Sequence, residues 1–402
     1  MTSFKSANQS SQQSKLSGNS LERKALHIAL VTSNNLSQLP KTVVTLVLLG
    51  EAILLSLVQT GWVGSAIYLG FAASDWLLLW LLPRKQISFG PVEPSLLAIT
   101  SLRWALAIAG GVLASWINLP KDLWLVLLTI CYGIISAVSI YGVAVEPFRL
   151  TVTKMTLSSP KLAKLDEHVP PVRILQMGDL HIERLTRREH NLLARITSLA
   201  PDVILLTGDY LNLSYVYDQT ALKETREFLS QLDAPFGVYA VSGSLPVDPP
   251  AIIEKLFDGL DNIRLLRNEH VILNVRGQYF CVAGIVCSHD PTIDASRLQE
   301  SLVNAPRGIY TIALSHSPDL IPKIDGTDVD LILAGHTHGG QIRLPFYGAL
   351  ITSSIYGKRY EMGYYQEGQT RLYVSRGVGM EGLGAPRARF LCPPEIVLWT
   401  WR

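Results

Sequence analysis

Two hydrophobic patterns divide the chain near residue 146. Before that point apolar residues run almost unbroken through four stretches, at about 42–60, 62–82, 96–119 and 123–145. Each is close to the roughly 20 residues that a bilayer-spanning helix requires. Gly61, the segment PRKQISFGPVEP and the short NLPKD separate them, and Trp62, Trp80, Trp116 and Trp124 fall near their ends, where indole rings favour the membrane interface. The pattern predicts four transmembrane helices over 42–145. Residues 1–41, rich in Ser, Gln and Asn with little to bury, read as a disordered polar tail.

Beyond residue 146, short runs of Val, Ile and Leu alternate with amphipathic stretches. VRILQM, DVILLT, GVYAVS, YTIALS and DLILAG predict buried strands, and FRLTVTKMTL is also strand-like. HNLLARITSLA, ALKETREFLSQL and PAIIEKLFDGL have helical spacing and fall between some of them. This is an α/β domain over 146–402, within the size of one core; on this pattern alone it is a single doubly wound sheet.

Charge changes the picture in two ways. A net charge of +2, from 35 basic and 33 acidic residues, is too balanced for a general attraction to nucleic acid, so no nucleic-acid partner is expected. Its distribution is uneven: Lys5, Lys15, Arg23, Lys24 and Lys41 lie in the tail, Arg84 and Lys85 in the second loop, and Arg149 and Lys154 after the fourth helix. The other two loops offer only Lys121 beside Asp122, so both termini and the α/β domain are expected in the cytosol. Glu51, Asp75 and Arg103 lie within the spans at similar depth; either they pair or Arg103 reaches back to the headgroups. Cys131, Cys281, Cys287 and Cys392 form no Cys-x-x-Cys, which fits a reducing compartment.

The candidate chemistry follows the strands. Asp179 and His181 come after VRILQM, Asp209 after DVILLT, His316 after YTIALS, and His336 and His338 after DLILAG. In an α/β sheet those positions share the carboxyl edge of the strands. Four histidines and two aspartates converging beside tight glycines point to a metal site, and imidazoles mixed with carboxylates suit Mn, Fe, Zn or Ni better than Ca or Mg.

GDLH, GDYLN, LSHSPDL and AGHTHGGQIRLP, in this order, resemble the successive blocks of the calcineurin-like metallophosphoesterases. They resemble in particular the bacterial membrane-associated branch whose members act as phosphodiesterases or as UDP-diacylglucosamine pyrophosphatases in lipid A synthesis. The resemblance covers about 147–402 and implies two packed β-sheets flanked by helices in place of one doubly wound sheet. It implies two divalent ions, one held by Asp179, His181, Asp209 and His338 and the other by Asp209, His316 and His336, with Asp209 as the bridge. Such a pair of cations activates a water and clamps the phosphoryl oxygens. His336, Asp209 and Arg376 are the candidate catalytic residues; Arg376 either contacts a phosphate oxygen or belongs to an ordinary ion pair. The implied setting is a multi-pass protein of a bacterial inner (plasma) membrane, with the bilayer and a phosphorylated small molecule or lipid as partners.

One block departs from the family. Where relatives have Gly-Asn-His, this chain reads Gly243, Ser244, Leu245, so an amide ligand of the second metal and a histidine near the leaving group are both replaced. Ser244 offers a weaker ligand, and Asp248 stands close enough in sequence to substitute for it. One tight and one loose ion are the expectation. Two functions follow from this: a membrane-anchored phosphoesterase favouring good leaving groups, or a degenerate domain that binds a phosphate ligand or a partner without turnover.

Overall fold

The protein is described from a computed structural model covering residues 28, 31–57, 61–324 and 326–402. Most of the expected disordered tail lies outside the described residues. Its last part, Val31–Ser37, is a helix (α1) whose Ser33 hydroxyl donates to the Gly384 carbonyl.

The apolar stretches form helices α2 (Lys41–Ser56), α3 (Gly61–Leu81), α4 (Val92–Trp116) and α5 (Lys121–Ile140). Pro40, Pro91 and Pro120 stand immediately before α2, α4 and α5, positions where a residue without an N–H begins a helix instead of breaking one. Three helical segments, Gly61–Lys85, Val92–Trp116 and Lys121–Phe148, are long and apolar enough to cross a membrane. The expected fourth is shorter: α2 has 16 residues, about 24 Å at helical rise against a hydrocarbon core of roughly 30 Å. It qualifies only together with α1, from which it is bent by 106° at the Pro40 break.

The helices pack through Val44, Leu48, Leu55, Tyr68, Leu96 and Tyr132 while Leu46, Ile53, Val112 and Ile134 stay exposed, so they are apolar on all sides, as helices in lipid are. Arg103 does not reach back toward the helix end. Fully buried, it pairs with Asp75 and donates to Ser136 Oγ at 2.7 Å. Glu51 takes the Tyr68 hydroxyl and that of Ser101. Breaking such a pair leaves an uncompensated charge, whereas replacing both members with apolar residues does not. Arg103→Met should therefore destabilise the bundle by about 3–5 kcal/mol and Arg103→Met with Asp75→Leu should recover most of that loss; melting curves in detergent give the comparison, and a double variant as unstable as the single one would refute it.

The remainder is β1 (Thr151–Thr156), β2 (Val172–Met177), α6 (Arg187–Leu199), β3 (Val203–Leu206), α7 (Gln219–Ser230), β4 (Val238–Ala240), α8 (Pro250–Phe257), β5 (Ile263–Leu265), β6 (Glu269–Val275) and β7 (Gln278–Gly284). Then come α9 (Pro291–Ser301), β8 (Tyr310–Leu314), β9 (Leu331–Ala334), β10 (Arg343–Leu344), β11 (Gly348–Ala349), β12 (Gly363–Glu367), β13 (Thr370–Val374) and β14 (Glu395–Trp401). They build two six-stranded sheets, ordered β1-β14-β2-β3-β4-β5 and β12-β13-β9-β8-β7-β6, and a small β10-β11 hairpin. The single doubly wound sheet read from the pattern is thus replaced by two. The pattern could not separate them, because β2, β3, β8 and β9 are parallel strands buried on both faces and carry the same apolar signature whichever sheet they join.

Leu205, Phe280, Leu333, Tyr373, Trp399 and Trp401 fill the space between the sheets. Helices α6, α7 and α8 cover the outer face of the first sheet and α9 that of the second. The membrane-type helices dock on this sandwich by specific bonds. The Arg389 N–H donates to Gly142 O at 2.9 Å just past α5, the Glu146 carboxylate accepts from Leu391 N–H at 3.0 Å, and Phe89 N–H, between α3 and α4, donates to Glu183 at 3.3 Å. Glu183 in turn forms a buried pair with Arg387 at 2.7 Å.

Candidate metal centre

The six residues read from the strand ends come together. Asp179 and His181 follow β2, Asp209 follows β3, His316 follows β8, and His336 and His338 follow β9, so both sheets deliver them from carboxyl ends. His181 Nε2 and His338 Nε2 are 3.0 Å apart, and His338 Nε2 lies 3.7 Å from Asp179 Oδ1. Asp209 Oδ2 stands between two imidazoles, 3.5 Å from His181 Nε2 and 3.3 Å from His316 Nε2. One donor group is Asp179, His181 and His338; a second is Asp179, Asp209 and His316.

The backbone is bent to achieve this. Asp179, His181, Asp209, His336 and His338 all have φ between 41° and 73°, a region that non-glycine residues seldom adopt and that concentrates at functional sites. Gly208 and Gly243 let two of the loops touch: a Cβ on Gly208 would lie 2.5 Å from the Gly243 backbone, and one on Gly243 would lie 2.0 Å from Asp209 Oδ1.

The donor set fits cations. Among the described residues Asp179 Oδ2 is buried without a hydrogen-bond partner, and ring nitrogens and carboxylate oxygens converge on one another. His316 Nδ1 bonds the Thr207 carbonyl oxygen at 2.8 Å, which turns Nε2 toward the cluster in the manner of an outer-shell orienting bond.

Comparison with known proteins fits this geometry. Residues 172–340 match the calcineurin-like phosphoesterase family. An uncharacterized metallophosphoesterase of Bacillus subtilis, YkuE, is 31% identical over 277 residues, which cover 67% of this chain and 92% of that protein. The chain belongs to the calcineurin-like phosphoesterases. The UDP-2,3-diacylglucosamine pyrophosphatase LpxG of Chlamydia muridarum is 26% identical over 302 residues, 61% of this chain and 88% of LpxG. The phosphodiesterase YaeI of Escherichia coli is 28% identical over 252 residues, 59% of this chain and 85% of YaeI.

Against that family background the departing block takes a definite form. Ser244 lines the cluster: its N–H donates to Asp209 Oδ1 at 2.6 Å and its Oγ lies 3.0 Å from His316 Nε2. Leu245 is 62% exposed at the rim and can move no proton. Asp248 does not reach in as a ligand. Its carboxylate accepts from the N–H groups of Asp209 (2.8 Å), Gly243 (2.7 Å) and Tyr210 (3.2 Å), so it holds the two loops from beneath. The Arg376 guanidinium pairs with Glu395 at 3.1 Å and donates to Thr151 Oγ1, the ion-pair alternative of the two readings.

Two residues escaped the sequence reading. Glu381 Oε2 lies 3.9 Å from His338 Nε2. His289, after β7, stacks beside His336 with ring centroids 4.4 Å apart and forms a third donor group with His316 and His336. The strand-end rule that found the other histidines would have found this one had QYFCVAG been counted as a strand.

The charges are strongly coupled. Burial disfavours a proton on His316, but the Asp209 carboxylate beside it, helped by Asp179, outweighs burial and pushes it up to about 10. Burial, then neighbouring imidazoles, holds His336 and His338 well below the usual histidine range, in the neutral form that ligates metals. Burial raises Asp179 to about 6, with Asp209 adding to the effect. A cation at His316 must displace its proton, so affinity there should rise with pH by about tenfold per unit below the His316 value. Competition titrations at several pH values, with proton release followed in weak buffer, check this; affinity that is flat or falls with pH contradicts it.

Proposed function

We propose that the protein is a membrane-anchored, metal-dependent hydrolase of phosphodiester or pyrophosphate bonds, acting on a nucleotide-linked lipid of the UDP-diacylglucosamine kind. The observation that carries the reading is the Asp209 carboxylate set between two clusters of imidazoles at an edge tied to the ends of the apolar helices. Asp179, His181, Asp209 and His338 would hold one divalent cation, and Asp209, His316 and His336 the other. Bound there, two such ions, of the Mn, Fe, Zn or Ni class, supply the charge that activates water and neutralises the phosphoryl oxygens.

The protein's own groups do the rest. Asp248 fixes the main chain of Asp209 and Gly243, Thr207 fixes the His316 ring, and the buried Arg389 donates to the carbonyls of Arg376, Gly377 and Gly379 and so holds the loop packed against Asp179. With Leu245 at the rim and Arg376 committed to Glu395, neither offers the leaving group a proton or a charge. That favours substrates whose leaving group is already stable, such as a nucleoside monophosphate leaving a pyrophosphate, over simple alkyl esters.

Four features support a lipid substrate and a cytosolic placement of the domain: the basic residues Arg84, Lys85 and Arg149 on the helix ends next to it, the docking bonds through Gly142 and Glu146, the relatives' printed activities, and the β10-β11 hairpin. The tip of that hairpin exposes Phe346 and Tyr347, and Leu350 is exposed just after β11. The hairpin's base bonds to Phe390, whose ring meets Tyr141 at the end of α5.

Purified full-length protein in detergent, loaded with manganese or zinc, should cleave UDP-2,3-diacylglucosamine to UMP and the lipid phosphate and should act more slowly on alkyl phosphodiesters. Asp209→Asn should lower the rate by more than the roughly 10–100-fold that losing an outer-shell partner costs. The second reading, binding without turnover, rests on Leu245 and on the commitment of Arg376. It predicts metal uptake with no hydrolysis across diesters and nucleotide-lipid pyrophosphates alike, and that result would replace the first reading.

A further inference from the structure

We propose that His289 is a ligand of the second cation, occupying the role that Ser244 leaves open; the inference rests on the two-metal reading above. The placement of the residue argues for it. His289, His316 and His336 each offer a ring nitrogen within 4.8 Å of the others. The His289 ring centroid is 4.4 Å from that of His336 and 5.9 Å from that of His316. Asp209 Oδ2, 3.3 Å from His316 Nε2, closes the group on the side of the first site.

The loop that carries His289 is built to hold it. His289 takes the same left-handed backbone as Asp179, His181, Asp209, His336 and His338, with φ 61°. On one side Ser288 is held by Asp294, through its N–H at 2.7 Å and its hydroxyl at 2.6 Å. On the other, Asp290 caps α9 by accepting from Thr292 N–H at 2.9 Å and Ile293 N–H at 3.2 Å. Further back, Val286 N–H donates to the Asn268 side chain at 2.9 Å. A strained residue clamped on both sides is preorganised, and a side chain so fixed can ligate without first losing loop entropy.

The chemistry of the departing block points the same way. A serine hydroxyl is a poorer ligand than an amide oxygen, and Ser244 Oγ already faces His316 Nε2 at 3.0 Å. An imidazole from the opposite sheet brings a better donor to the same ion. The second site then has three imidazoles and one carboxylate, against two imidazoles and two carboxylates in the first. That difference shifts the second site toward zinc, cobalt or nickel and away from manganese. It also revises the expectation of one tight and one loose ion: both sites are tight, with different preferences.

The test is equilibrium metal binding by the full-length chain in detergent, stripped with chelator and titrated with Zn²⁺, with bound metal counted by elemental analysis. The unmodified protein should bind two zinc ions. His289→Ala should retain one and lose affinity for the other by more than about 100-fold, a larger effect than removing an outer-shell partner produces. Ser244→Ala should keep both. With Co²⁺ as probe, the visible absorption of the second ion should change in His289→Ala while that of the first stays. His289→Asp keeps a ligand and should recover part of the second ion, which separates lost coordination from a misfolded loop. Two ions bound with unchanged affinity in His289→Ala, or a single ion in the unmodified protein, would overturn the proposal. No bound metal in the unmodified protein would instead overturn the two-metal reading beneath it.

Discussion

A buried carboxylate shared between two sets of imidazoles sets the terms for the rest of this structure. Asp209 sits 3.3 Å from His316 and 3.5 Å from His181, inside a protein edge where unbalanced charge is expensive. Burial would raise the carboxyl's proton affinity, yet the imidazoles around it, His316 foremost, hold it below the usual carboxylate range. Placing it there requires two sheets whose strands end at one place, loops in left-handed backbone, and glycines where the β3 and β4 loops touch. Asp248 takes part from underneath: burial, and then the Asp209 charge, raises its carboxyl to about 7, while three backbone N–H groups hold it in position.

The same edge faces the apolar helices. Arg389, fully buried, binds the carbonyls of Gly377 and Gly379 with its guanidinium, while its own N–H donates to Gly142 just after α5. Gly377 in turn packs against Asp179 so closely that a Cβ would lie 2.5 Å from the aspartate's own Cβ. A continuous set of contacts therefore runs from the end of α5 to the first donor group. Cys392 adds to it, giving its thiol to the His338 carbonyl while Glu146 accepts its N–H. On the proposed reading, the helices position the site at the headgroup level as well as anchoring it.

What the sequence made legible divides along physical lines. VRILQM, DVILLT, YTIALS and DLILAG read as strands because burial on both faces leaves an apolar run, and the residues after them read as a site because strand ends converge. Which sheet each strand joined was not legible, since pairing depends on contacts across more than 200 residues, as between β1 and β14. The reach of long side chains was equally hidden: nothing local tells whether Arg376 faces the site or Glu395, or that Asp248 serves main-chain N–H groups. His289 was passed over because QYFCVAG was not read as a strand, although β7 is buried over its last five residues and pairs in parallel with β8. The apolar stretch was read to residue 60, whereas α2 closes at Ser56, where the Leu57 N–H bonds the Leu54 carbonyl.

The central claim is that Asp209 bridges two cations at this edge. Anomalous scattering from crystals of the zinc-loaded protein tests it most directly. The account predicts two peaks, one on each side of the Asp209 carboxylate, the first among Asp179, His181 and His338 and the second among His289, His316 and His336. A single peak, or two peaks that do not share Asp209, would contradict it.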